Sequence, residues 1–264
     1  MTQLHLSGDQ RADQLISNDP LALLIGMVLD QQITIEQAFR APAELVDRLG
    51  LTVPLDAHRI GAMDPDTFTE AFSRRPSVHR YPASMASRVQ ELCRIVANEY
   101  GGDASRIWSE VRDALELRRR VEALPGFGER KARIFVALCG KQLGVRPRGW
   151  EAASEPFGDP GSFLSVADIV DAWSLAEVRV RKREEKAAAK AGKGKTGGTE
   201  AGRTGGRTGG RTGGRTTGKT TGATTGKTTG AQAGAEARAL SKSPNAPSRG
   251  GRRGGKGKTV LSLR

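Results

Sequence analysis

The chain has 264 residues, with 42 Lys and Arg against 29 Asp and Glu, a formal net charge of +13. Its two cysteines are too few for a thiolate-held iron–sulfur cluster, which takes four, and its three histidines, His5, His58 and His79, lack metal-ligand spacing. The apolar run Leu21–Leu29 is too short to cross a bilayer and no secretory signal pattern opens the sequence, so a cytoplasmic protein without metal or cofactor is expected.

The charge is unevenly divided. Residues 186–264 hold 18 basic and 2 acidic groups, a net of +16, which leaves 24 basic and 27 acidic groups, a net of −3, in residues 1–185. Basicity thus belongs to the tail, and a body of this size fits one helical domain or two small lobes.

In chain order, Asp19-Pro20 forms an N-cap and N1 pair ahead of Leu21–Leu29, a run apolar on every side that predicts a buried central helix. Pro42–Leu49 predicts a short helix ended by Gly50. Asp64-Pro65 starts another that reaches Ser73. Ser84–Tyr100 is amphipathic, with Met85, Val89, Leu92, Ile95, Val96 and Tyr100 on one face, and Gly101-Gly102 stops it. Ala104–Ala123 reads as helix leading to a turn. Cys93 and Cys139 fall at apolar helix positions, as buried thiols of a reducing compartment.

The turn is Leu124-Pro125-Gly126-Phe127-Gly128-Glu129-Arg130-Lys131-Ala132, after which Ala132, Phe135, Val136, Leu138, Cys139 and Leu143 recur at helical spacing. Pro125 fixes one backbone angle, and the two glycines admit geometry closed to other residues. Such a hairpin points peptide N–H groups from a helix N-terminus at one concavity, which suits a phosphate oxygen. Beyond it, Ser165-Val166-Ala167-Asp168 has capping-box spacing, and Ser174 starts a last helix running into the charged stretch Arg179–Lys190. No alternating apolar pattern argues for a sheet, so the body is expected to be all-α.

Residues 203–230 repeat a four-residue unit seven times: RTGG three times, then RTTG, KTTG, ATTG and KTTG. Every unit but that at Ala223 opens on a cation. Residues 186–264 lack the apolar content to offset ordering entropy, so a disordered basic tail is expected, able to track a phosphate backbone without register.

Two motifs now combine: the apolar helix Leu23–Leu29 ending in Asp30-Gln31-Gln32, and the hairpin Leu124–Gly128 with its following helix. With these, residues 19–143 resemble the helix-hairpin-helix base-excision DNA glycosylase superfamily, the group that includes endonuclease III and the mismatch adenine glycosylase. The resemblance implies a two-lobed all-α fold and a monomer bound to damaged or mispaired double-stranded DNA, associated with a bacterial nucleoid. It implies Gln32, with Gln31 next, as the amide that fills the gap left by a flipped base. Gly126 and Gly128 would hold a backbone phosphate, with Arg130 and Lys131 adding charge.

The sequence also departs from the family. Strand-cleaving members carry a nucleophilic lysine where this chain has Arg130, which cannot form a Schiff base. Lys131 lies one position on, about 100° around the helix. The interval that carries the family's catalytic aspartate falls at Arg146–Trp150, which has no acid. Asp30, beside the glutamine pair, and Asp159, in the turn Gly158-Asp159-Pro160-Gly161, are the candidate catalytic carboxylates, and no cluster-binding cysteine loop is present. The expected activity is hydrolysis of an N-glycosidic bond without strand cleavage. The alternative is a non-catalytic protein that recognises damaged or bent duplex.

Overall fold

The computed structural model describes residues 3–195, with side chains to residue 188. Its regular elements are all helical: α1 (Gln10–Asn18), α2 (Pro20–Leu29), α3 (Ile35–Leu49), α4 (Ala57–Gly61), α5 (Pro65–Ser73), α6 (Pro82–Glu99), α7 (Arg106–Ser109), α8 (Ala114–Glu122), α9 (Glu129–Lys141), α10 (Trp150–Ser154) and α11 (Ala172–Lys195), with one 3₁₀ turn at Val166–Asp168. The body is all-α.

Local chemistry sets the starts. Asp19 Oδ1 accepts the N–H groups of Leu21 and Ala22, capping α2, while Oδ2 accepts the N–H of Leu55 and ties down the loop before α4. Asp64 caps α5 in the same way ahead of Pro65. Every residue of α2 from Leu21 to Leu29 is buried, each large side chain contributing about 1.5–3 kcal/mol on burial. Close approach is built in: a Cβ on Gly26 would lie 2.6 Å from Phe39 Cδ1, so α3 packs directly on the α2 backbone.

Helices α1–α6 pack chiefly on one another, with α2 against α1, α3 and α6, and α6 against α4 and α5. In the second set, α9 packs against α8, α10 and the 3₁₀ turn, and α11 joins that turn. Phe127 of the hairpin packs edge-on to Phe135 of α9, which also meets Trp108, and this aromatic group anchors the hairpin.

Four expectations are corrected. The third helix starts at Ile35 rather than Pro42, because Thr34 caps it and Pro42 is accommodated inside, buried on the core face. The Ala104–Ala123 segment is two helices, broken before the cap at Asp113. Helices α1 and α4, capped by Asp9 and Asp56, had no predicted counterpart. Finally, α11 continues to Lys195, past the expected start of the tail at 186, consistent with its run of strong helix formers, Ala and Lys. The Ser165–Asp168 capping box forms as read, on a 3₁₀ turn. Cys93 and Cys139 are buried, and burial pushes the Cys93 thiol up to about 12. The repeats at 203–230 lie outside the described residues.

Candidate functional site

The C-terminal end of α2 and the glycine hairpin, about a hundred residues apart in sequence, meet in space. Gly126 has φ +79°, and a Cβ there would stand 3.1 Å from Arg88 Cδ, 3.3 Å from Val28 Cγ1 and 3.7 Å from Gln31 Nε2. Lys131 Nζ reaches across to donate to Met27 O at 2.8 Å and Val28 O at 3.4 Å, filling carbonyls that the end of α2 leaves open. Asp30 caps that end, and its carboxylate faces Lys182 of α11 at 3.5 Å. Asp30, Gln31, Gly126 and Lys131 therefore share one locality.

The two glutamines are not equivalent. Gln31 is held: its Nε2 donates to Val28 O at 2.6 Å, and Arg88 donates to its Oε1 at 3.0 Å. Gln32 is exposed, in the left-handed region at φ +59°, where a side chain costs strain. Below them lies His79, 1% exposed, whose Nε2 donates to Gln31 O at 2.8 Å while Nδ1 accepts the N–H of Tyr81 at 3.0 Å. Burial lowers the His79 pKa from its ordinary value, which favours this neutral, two-ended strut.

The hairpin presents an open helix end. Gly128 is the N-cap of α9, with extended backbone, no side-chain cap and nothing within 4 Å of where a Cβ would stand. The first intrahelical bond is Ala132 N–H to Gly128 O, so the N–H groups before it have no helical partner. Only Gly126 needs glycine for its backbone; Gly128 instead leaves room above the helix end.

The cations differ from expectation. Lys131 is not an exposed phosphate partner, because its ammonium turns inward to the α2 carbonyls; burial, with Arg88 and Lys182 nearby, lowers its pKa to about 8 against the pull of Asp30. Arg130 is exposed, lies over the Phe157 ring at 5.1 Å, and is bridged by both oxygens of Glu185 at 2.9 and 3.0 Å. Asp159 is not brought to this locality. Its carbonyl accepts from Lys141 at the far end of α9, about 15 Å from Lys131 along the helix. Its chain neighbours Gly158 and Pro160, not Asp159 itself, line a separate cavity of about 530 Å³ with Lys141, Trp150, Phe163 and Trp173.

Sequence reasoning missed His79, Arg88 and Lys182. Nothing local marks them, since each is recruited from 48 to 152 residues away from its partner. Compared with known proteins, the chain matches no family model, no curated protein and no solved structure.

Proposed function

We propose that the chain is a DNA-binding protein of base-excision repair that hydrolyses the N-glycosidic bond of a damaged or mispaired base in duplex DNA. The observation that supports it best is the junction of the Asp30-Gln31-Gln32 turn with the glycine hairpin, which sets a carboxylate and an exposed amide beside an uncapped helix N-terminus. The N–H groups at Gly128 and after it hold one phosphate, with Arg130 adding charge. Gln32 enters the stack and fills the gap left by the extruded nucleotide. Asp30, the carboxylate nearest that gap, stabilises the positive charge that develops on the sugar as the base departs and accepts a proton from the attacking water. Gln31, Arg88 and His79 hold the turn in place.

Arg130 supplies no amine nucleophile, so the product is an abasic site with an intact strand. A second reading, a damage-binding protein without chemistry, draws on the Lys182 ammonium that already stands across Asp30. Base release is measured across a panel of lesion and mismatch duplexes, with Asp30→Asn alongside. Release by the wild type and its loss in the variant support the hydrolase. Tight retention of lesion duplex with no release by either supports the binder.

A further inference from the structure

Helix α11 crosses the candidate site on three ion pairs, one per turn. Arg179 pairs with Glu36 at the start of α3, Lys182 with Asp30 at the end of α2, and Glu185 with Arg130 in the first turn of α9. Its apolar anchorage ends early. Leu175 and Val178 are buried, whereas Val180 is 46% exposed and no residue from Arg179 to Ala188 is buried. This half of the helix is therefore held by charge. Two of its contacts cover groups that the proposed function needs: Lys182 stands on the carboxylate of Asp30, and both oxygens of the Glu185 carboxylate accept from Nη2 of Arg130.

A carboxylate whose two oxygens both accept from one guanidinium nitrogen occupies, with the same charge, a donor that a phosphate oxygen would engage. Resting on the DNA reading above, we infer that residues 179–188 of α11 form a strap that closes the site in the free protein, with Glu185 standing in for the DNA phosphate. Incoming backbone phosphate displaces Glu185 from Arg130. Loss of that pair loosens Lys182 from Asp30 and frees the carboxylate for the sugar. The outermost pair, Glu185–Arg130, is exposed on both sides and so individually weak and salt-sensitive, and the strap yields to a polyanion from that end rather than blocking it outright. Lys182, released from Asp30, then faces DNA as a cation together with Arg181 and Arg183.

The test uses the full chain and a short duplex carrying one abasic analogue at low ionic strength, with Glu185→Gln set against Glu184→Gln. The two variants have the same net charge and the same tail, but Glu184 is exposed and has no ion pair among the described residues. Glu185→Gln is expected to bind about two- to fivefold more tightly than Glu184→Gln, the worth of one exposed ion pair. Hydrogen exchange at 179–188 in the wild type is expected to quicken when the duplex is added. Equal affinities of the two variants, or slower exchange across 179–188, overturn the strap while leaving the DNA reading standing. Failure of the wild type and both variants to bind the duplex overturns both.

Discussion

A methyl group at Gly126 would meet Arg88 Cδ and Val28 Cγ1 at 3.1 and 3.3 Å, on a backbone with φ +79°. Gly126→Ala is expected to destabilise the protein by about 1–3 kcal/mol, read as a lower melting temperature. Gly128→Ala meets nothing and has extended backbone, so its stability should stay within about 1 kcal/mol of wild type. Its methyl nonetheless stands at the mouth of the α9 N-terminus, and affinity for abasic duplex should fall severalfold. Equal binding by Gly128→Ala and wild type would remove the phosphate seat from the hairpin.

Lys131 gives a second test at this scale. Its folded pKa is about 8 against 10.5 in the unfolded chain, so between those values the unfolded chain binds the extra proton. Stability contributed by this group therefore rises as pH climbs from about 8 to 10.5 and is lost as pH falls back through 8, an effect of roughly 2–4 kcal/mol. Denaturation across that range, with Lys131→Met as the reference lacking the titration, isolates the effect. Parallel curves for the two proteins would show that the ammonium is not desolvated.

At the scale of elements, the starts of α2 and α5 were legible because an aspartate and the proline after it fix a helix start by local hydrogen bonds alone. Pro42 misled for a related reason. A proline suits a first turn, but Thr34 caps α3 two turns earlier and the helix absorbs the missing donor. The Gln31-Gln32 turn and the hairpin were legible as motifs, but not the unlike states of their members. That Gln31 is bound and Gln32 exposed, or that Lys131 turns inward, depends on Arg88 of α6 and on the carbonyls of α2, which no local pattern announces.

His79 couples two of these elements, the end of α2 and the start of α6. Burial holds its folded pKa below the ordinary 6.5, so the unfolded chain takes up a proton first as the pH falls. The stability this neutral strut provides is complete above about 6.5 and declines below it, since a protonated Nδ1 would confront the Tyr81 N–H. Urea denaturation below and above that value should show the loss in wild type and a smaller one in His79→Gln, whose amide can donate and accept but does not titrate. A loss as large in His79→Gln would assign the acid sensitivity elsewhere.

Across the whole molecule, charge is unevenly divided along the chain. Residues 1–195 carry 28 basic and 27 acidic groups, whereas 196–264 carry 14 and 2. The body is thus nearly neutral, and long-range attraction to a polyanion comes from beyond it. Each phosphate neutralised contributes about 0.9 to the slope of log affinity against log salt on duplex DNA. The full chain should therefore bind duplex with a steep salt dependence, and a chain ending at residue 195 should bind more weakly with a shallower one. If the hairpin is a genuine contact, the shortened chain keeps a residual affinity, and Gly128→Ala removes most of it. An intact but nonbinding shortened chain would leave the tail as the sole nucleic-acid contact. Residual binding that ignores Gly128→Ala would place the body's contact away from α9. On the proposed DNA reading this division has a kinetic consequence as well: the cations beyond residue 195 would raise the local concentration of duplex, while the body would engage where a nucleotide can be drawn out of the stack.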